Sequence, residues 1–577
     1  MERHFLKGLP VSDGVGIGRL YVLKPSGCEI NKGTVARSKV NDEVSRLYKG
    51  ISSTLGEFQQ LKNLLKKNNL IFEVYEAILR DSLFIDEIIE LIRNNRIFAD
   101  NAVDICIKKY VSEIEQSSNE YARQRVYDLN DLGAKIIRNM AGQKDSFIDH
   151  IYRKQIIAVR ELTPSLTVLL GKRKVMGIVA YGGAAYFSHS AIMLRSLGIP
   201  VLNDINYDFM QRFDGQQAII DGTDGFLIIN PDKDDNERYR NILKSSIKKR
   251  KELMSHRHKP ALTRDGCRIA ISANISSVEE CEEIVKLNAD GIGLVRTEML
   301  FAAKGSLPDE TEQTDVYCEI AERMRNRPVV IRTWDIGEEK VLGFLGGERL
   351  EAKSRSIENS LVNRDEFRTQ IRSILRAAEH GNIKITFPMV DSAEQLRQIK
   401  SILIAAESKL EEECKKKFKI PQIGAFIETK TGIMNLDEIL PLLDFINLGT
   451  NDLLQHTLGK AREFSRVKKN EYYNPQFLKT VDACIRKAKL YKKHVCVCGE
   501  MASDPAVSIL LIGMGIDELS MNSYRIPVIK ELLSRVSIDE ARQLAKSALE
   551  ASSIAEVKRI LTKKYGKVVL LPEIEKR

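Results

Sequence analysis

The sequence predicts a multidomain α/β protein: a small β/α domain interrupted by a helical bundle, a linker helix, and a C-terminal (β/α)8 TIM-type barrel. Three observations predict it. At 577 residues the chain is too long for one hydrophobic core, and three or four domains are the natural expectation. Between residues 40 and 145 apolar side chains recur at three- and four-residue steps, the mark of amphipathic helices. From residue 260 onward short apolar runs alternate with helical patterns, and the runs keep ending in a charged or reactive residue. Buried parallel strands read this way when their carboxyl ends share a cleft.

Taken in order, residues 5–23 alternate small and apolar side chains around Gly14, Gly16 and Gly18, a strand and turn. Val40, Val44, Leu47, Ile51, Leu55, Phe58, Leu61 and Leu65 then line one face of a long helix. Similar stretches follow at 83–95 and 102–115, with Asn-rich breaks near 68–69 and 94–95, so the segment reads as an antiparallel bundle. Strand character returns at 155–159, 175–181, 218–221 and 225–231, which makes the bundle an insertion into one β/α domain. A charged helical stretch, 232–258, leads out of that domain. Barrel strands are expected at 267–275, 291–296, 328–333, 383–388, 423–428, 445–449, 494–498 and 518–521.

Composition is that of an ordinary soluble globular protein, with 43% hydrophobic and 29% charged residues. The N-terminal stretch lacks an apolar signal region, and no run is long enough to span a bilayer. A chain that is neither secreted nor membrane-inserted, and is cytoplasmic, is expected. Nine cysteines without framework spacing fit reduced thiols. The net charge of +10 raises nucleic acid as a partner. Its densest basic run, Lys244 to Lys259, is interrupted by Glu252 and has no aromatic platform, so it reads as a solvated helix face and no nucleic acid is expected.

Glu428 and Asp452 close barrel strands five and six. Acids at strand ends serve as salt-bridge partners or as metal ligands, and two hard oxygen donors suit Mg²⁺. Arg296, Arg332 and Arg462 would crowd the same mouth, and the planar guanidinium grips phosphate and carboxylate bidentately. The set points to a small phosphorylated acid held with a metal. Cys498 ends strand seven before Gly499. It is either a structural thiol or a proton donor to a carbanion or enolate, whereas Cys496 reads as structural. His189 follows Gly182-Gly183 and Ser188, a plausible N-cap, at the start of an apolar helix. A phosphoryl group there would meet free backbone N–H groups, and the alternative is a histidine that caps or packs. His456 and His494 read as structural, and Trp334 as core or rim packing.

Together these segments resemble Enzyme I of the bacterial phosphoenolpyruvate-dependent sugar phosphotransferase system, the phosphoenolpyruvate–protein phosphotransferases. The likeness lies in DGIGLVRTEML (290–300), VVIRTWDIG (329–337), LGTNDLLQHTL (448–458), CGEMASDP (498–505), LLIGMGIDELSMNS (510–523), SHSAIMLRSLGIPVL (188–202) and YDLNDLGAKIIRNMAG (127–142). The resemblance implies a phosphotransferase with a nitrogenous acceptor. Mg²⁺ on Glu428 and Asp452 would hold phosphoenolpyruvate, with Arg296, Arg332, Arg462, Asn451 and Asp452 gripping it. His189 would carry the phosphoryl group and Cys498 would protonate the enolate, giving pyruvate. The carrier protein HPr would accept the phosphoryl group as the first step of sugar phosphotransfer. The implied domains are a phosphohistidine domain (1–30 and 150–231), an inserted helical HPr-binding domain (31–149), a linker helix (232–259) and a barrel (260–577) that binds substrate and forms a homodimer.

The chain departs from the family pattern at Ala184-Ala185-Tyr186-Phe187 before Ser188-His189, at RLEAKSR (349–355), at Lys430, where the family has proline, and at Glu463-Phe464. These departures keep open a catalytically weakened docking homologue that binds HPr. A dikinase or synthase relative needs a nucleotide-grasping domain, for which the helical block is too short.

Overall fold

The computed structural model of the chain describes every residue except 1, 25–29, 65–69, 116–119, 144–150, 152–153, 183–189, 191–193, 195–196, 257, 301–306, 336–356, 459–468 and 570–577. It divides into two compact units, residues 1–248 and 249–577.

The first unit is built on an eight-stranded sheet in the order β1-β8-β7-β3-β4-β5-β6-β2. Its strands are β1 (His4–Lys7), β2 (Leu9–Ser12), β3 (Val15–Val22), β4 (Gln155–Glu161), β5 (Gly177–Gly182), β6 (Val201–Asn203), β7 (Gln217–Asp221) and β8 (Phe226–Ile229). The stretch 5–23, expected as one strand and a turn, is thus three strands, and β6 is an addition. β3 and β4 pair in parallel although more than 130 residues separate them, with Leu20 opposite Ile156. The intervening helices are therefore inserted between neighbouring strands. Alternation along β4 sends Ile157 and Val159 to one core and Ile156 and Ala158 to another, so both faces of the sheet are covered.

The insertion holds α1 (Val40–Leu64), α2 (Leu70–Arg80), α3 (Ser82–Asn95), α4 (Ala99–Glu115) and α5 (Glu120–Met140). Val44, Leu47, Ile51, Phe58 and Leu61 are buried in its core, with Val40 and Leu55 packed against it. These are the positions that the helical period marks, while Leu65 lies outside the described residues. Helix α3 stops at Asn95 because Arg96 turns left-handed, at φ 51°. The charged stretch after β8 forms one helix, Lys233–His256.

The second unit is a closed barrel of parallel strands: β9 (Ala270–Ile275), β10 (Gly291–Arg296), β11 (Val329–Arg332), β12 (Ile383–Phe387), β13 (Gln422–Ile427), β14 (Phe445–Gly449), β15 (His494–Cys498) and β16 (Glu518–Met521). Each falls on an expected strand, and β16 pairs β9 to close the ring. Burial along the strands is nearly continuous, as in GIGLV and FINLG, because the helices cover the outside and side chains fill the inside. Trp334 belongs to this core. No helix among the described residues is long and apolar enough to cross a membrane.

Candidate active site

β13 ends at Ile427, and the next residue, Glu428, is only 3% exposed. Pairing of Ile427 with Leu448 sets Gly449 beside it. A Cβ on Gly449 would lie 2.1 Å from Glu428 Oε1 and 2.6 Å from its carboxyl carbon. The carboxylate thus occupies a cradle that any other residue at 449 would fill. Thr450 then opens the helix Thr450–Leu458, with Asn451 and Asp452 in its first turn. The Thr450 hydroxyl donates to the Cys498 carbonyl at 3.2 Å, and the Tyr472 hydroxyl donates to Asn451 Oδ1 at 2.8 Å. Gly499, at φ 121°, completes the fit, since a Cβ there would approach Asn451 Oδ1 to 3.1 Å.

After Glu428 the chain turns into the short helix Lys430–Met434, which opens on Lys430, where the resemblance expects a proline. Thr429 caps this helix by accepting the Gly432 N–H at 3.0 Å, and its own hydroxyl donates to Asp391. A side-chain cap thereby fixes the turn that a proline would set by its ring. The residues fit a small hard cation: Glu428 is seated against Gly449, which presents no Cβ to it, and Asp452 stands in the adjoining turn. Mg²⁺ takes one or two carboxylates and completes its shell with substrate oxygens and water. Among the described residues no three His, Cys, Asp or Glu side chains cluster as a metal cage.

On the opposite side, Arg296 and Arg332 end β10 and β11 in register. Arg332 is buried with two carboxylates, Nη2 at 2.5 Å from Glu298 Oε1 and Nη1 at 3.0 Å from Asp335 Oδ2. Its guanidinium also lies over the Phe426 ring, 5.6 Å from the centroid. Carboxylates on two donors and a ring on one face fix the plane of the fork. The Arg296 charge reaches Glu280. Burial pushes that carboxyl up, while the Ser276 and Ser277 N–H groups and Arg296 draw it back.

Cys498 closes β15 with its sulfur inside the barrel, packed with Phe426, Leu294 and Cys496. Phe426 is thus shared between Arg332 and Cys498. The Asn447 amide donates to Cys498 Sγ at 3.5 Å. The ladder between β9 and β10 skips Gly293, whose carbonyl lies 3.9 Å from the same sulfur.

Among the expected site residues, Glu428, Asn451, Asp452 and Cys498 gather on β13, β14, β15 and the turns after them, and Arg296 and Arg332 on β10 and β11. His189 and Arg462 lie outside the described residues, as do 184–187, 349–355 and Glu463-Phe464. His494 pairs its Nε2 with Glu518 at 2.8 Å, on the first residue of β15. Glu298, Asp335 and Asn447 were not anticipated. A signal existed for the first two, because both strands end in an Arg followed by Thr, and an acid follows Arg296 by two residues and Arg332 by three.

Three family models match in chain order: PEP-utilising enzyme, N-terminal (residues 7–125), mobile domain (151–225) and PEP-binding domain (250–538). Among curated proteins, the phosphoenolpyruvate-protein phosphotransferase of Buchnera aphidicola from Schizaphis graminum is 31% identical over 97% of this chain and 99% of its own length. The Haemophilus influenzae protein of that name is 30% identical over 96% and 98%, and that of Priestia megaterium 30% over 96% and 97%. The chain belongs to the phosphoenolpyruvate-protein phosphotransferase family. As an enzyme of that family it carries its PEP-binding match across the whole barrel, so the acids, arginines and thiol described above all fall within it.

Proposed function

We propose that the enzyme transfers the phosphoryl group of phosphoenolpyruvate through His189 to the carrier protein HPr and releases pyruvate, as the first step of sugar phosphotransfer in the cytoplasm. One observation carries this reading. Glu428, seated in the Gly449 cradle beside Asn451 and Asp452, stands at the same end of the barrel as the Arg332–Phe426–Cys498 group.

Glu428 and Asp452 would hold Mg²⁺, which when bound neutralises charge on the phosphate and enolate oxygens. Arg296, Arg332, Arg462 and Asn451 grip and orient the anionic substrate. The His189 ring nitrogen attacks phosphorus in line, so the protein's part is mostly positioning and charge stabilisation. Cys498 then donates its proton to the enolate carbon. A phosphohistidine divides transfer between two large partners into two docked steps. The phosphohistidine domain would carry it from the barrel to the helical insert, where HPr docks, and the barrel would form the homodimer.

Incubation with ³²P-labelled phosphoenolpyruvate and Mg²⁺ should give an acid-labile phosphoprotein that His189→Ala abolishes. No label on folded wild-type protein would sink the reading. A weakened docking homologue, suggested by the altered 184–187 and 349–355 segments, would bind HPr normally and label orders of magnitude more slowly.

A further inference from the structure

Just inside the mouth, Cys498 sits in a cluster whose other polar members, Cys496 and Asn447, the mechanism above does not use. Cys496 and Cys498 are two residues apart on β15, and strand alternation turns both sulfurs to the barrel interior. The sulfurs lie 3.6 Å apart. Asn447, opposite Cys496 on β14, brings its amide to Cys498 and accepts from the Thr386 hydroxyl at 3.3 Å, which fixes which end of the amide faces the sulfur. Asn447, Cys496 and Cys498 are 1%, 2% and 3% exposed, so protein hydrogen bonds, more than bulk water, must solvate the sulfurs. Burial, and then the neighbouring Cys498, push the Cys496 thiol well above its ordinary range. It therefore remains an S–H donor.

A thiol that gives its proton to carbon becomes a thiolate, and a buried anion is costly unless hydrogen bonds reach it. We propose that Cys496 and Asn447 are positioning residues for Cys498, supplying the S–H and N–H bonds that hold its sulfur and stabilise the thiolate as the proton leaves. This rests on the reading of Cys498 as proton donor. In the step, the Cys498 S–H bond breaks and the enolate π pair forms the new C–H bond. The former S–H pair stays on sulfur, and water later returns a proton. Before transfer the Cys498 S–H faces the Gly293 carbonyl; afterwards the Cys496 S–H and the Asn447 N–H both point at the thiolate.

The test uses the full-length enzyme with Mg²⁺ and pyruvate in D₂O, following loss of the pyruvate methyl proton signal. Single-turnover labelling by phosphoenolpyruvate is measured beside it. Cys496→Ala and Asn447→Ala should each slow methyl exchange about tenfold, the scale of one hydrogen bond to a charged group. Labelling should stay within about twofold, because the phosphoryl step precedes protonation. Cys496→Ser, which restores a donor in the same space, should recover most of the exchange, and it decides the matter if the alanine variant folds poorly. Exchange at the wild-type rate in both alanine variants, or equal slowing of exchange and labelling, would overturn the proposal while leaving the donor reading intact. No exchange by the wild type, or exchange that persists in Cys498→Ala, would remove the donor reading and this proposal with it.

Discussion

At the amino-terminal end of the barrel, Asp290, Asp444 and Asp517 stand immediately before β10, β14 and β16. Each carboxylate accepts a backbone N–H from the preceding strand: Ile271 at 2.8 Å, Ile423 at 2.7 Å and Val495 at 2.8 Å. Asp290 also pairs with Arg268 at 2.5 Å, and Asp517 pairs with Lys489. At the carboxyl end, Glu298 and Asp335 instead hold a buried arginine, and Glu428 fills a space left by a missing Cβ. Floor acids close the backbone ladder and fix register. Mouth acids fix side chains and leave the strand ends for a ligand. A carboxylate thus serves the backbone at one end of the barrel and side chains at the other, where the proposed chemistry would lie, the division expected of a parallel barrel.

That division can be broken from either side. Gly449→Ala should have the largest effect. Its Cβ displaces the flexible end of Glu428, not backbone, so the fold should survive while phosphoenolpyruvate-dependent labelling falls about 100-fold, as ligand misplacement on the ångström scale can cost. Labelling kinetics beside a thermal melt check this. Next is Glu298→Gln, which loosens one side of the Arg332 fork and should raise KM for phosphoenolpyruvate about tenfold, the equivalent of one charge-assisted hydrogen bond. At the floor the pattern should invert. Asp290→Ala should cost about 1–3 kcal/mol in denaturant unfolding, with labelling unchanged within about twofold.

The smallest effect is a pH dependence. Lys530 donates to the carbonyls of Leu287 and Asn288 below β10, and burial lowers its pKa to about 8. A lysine lowered in the folded state binds fewer protons there than in the unfolded chain. Its charge therefore penalises folding below about pH 8, and the penalty is relieved as pH rises from there toward the unfolded value of about 10.4. Unfolding free energy measured across that window should rise more steeply in the wild type than in Lys530→Met.

Barrel strands were legible because a strand buried on both faces leaves a continuous apolar run, and its outlet residue leaves a charge. Helix α1 was legible because seven apolar positions, Val40 to Leu61, keep one period. β6 was not, since three residues after Pro200 carry no alternation to read. Glu428, Asp452 and Cys498 stood out as the ends of their own strands or turns. Asn447 did not, because its contacts come from the side chains of β12 and β15, 61 and 51 residues away. Cys496 reads as a packing thiol from its own strand, and only the spacing of the two sulfurs suggests otherwise. Sequence reports what each strand brings, and the ring closure decides which contributions meet.

Single-turnover reaction of the enzyme with labelled phosphoenolpyruvate and Mg²⁺, counting acid-labile phosphate and pyruvate together, bears most directly on the barrel mouth as the phosphorylating site. One pyruvate should form for each phosphoryl group on His189. Both should be retained in Asp290→Ala and lost together in Gly449→Ala. Wild-type rates in a folded Gly449→Ala enzyme, or label without pyruvate, would contradict it.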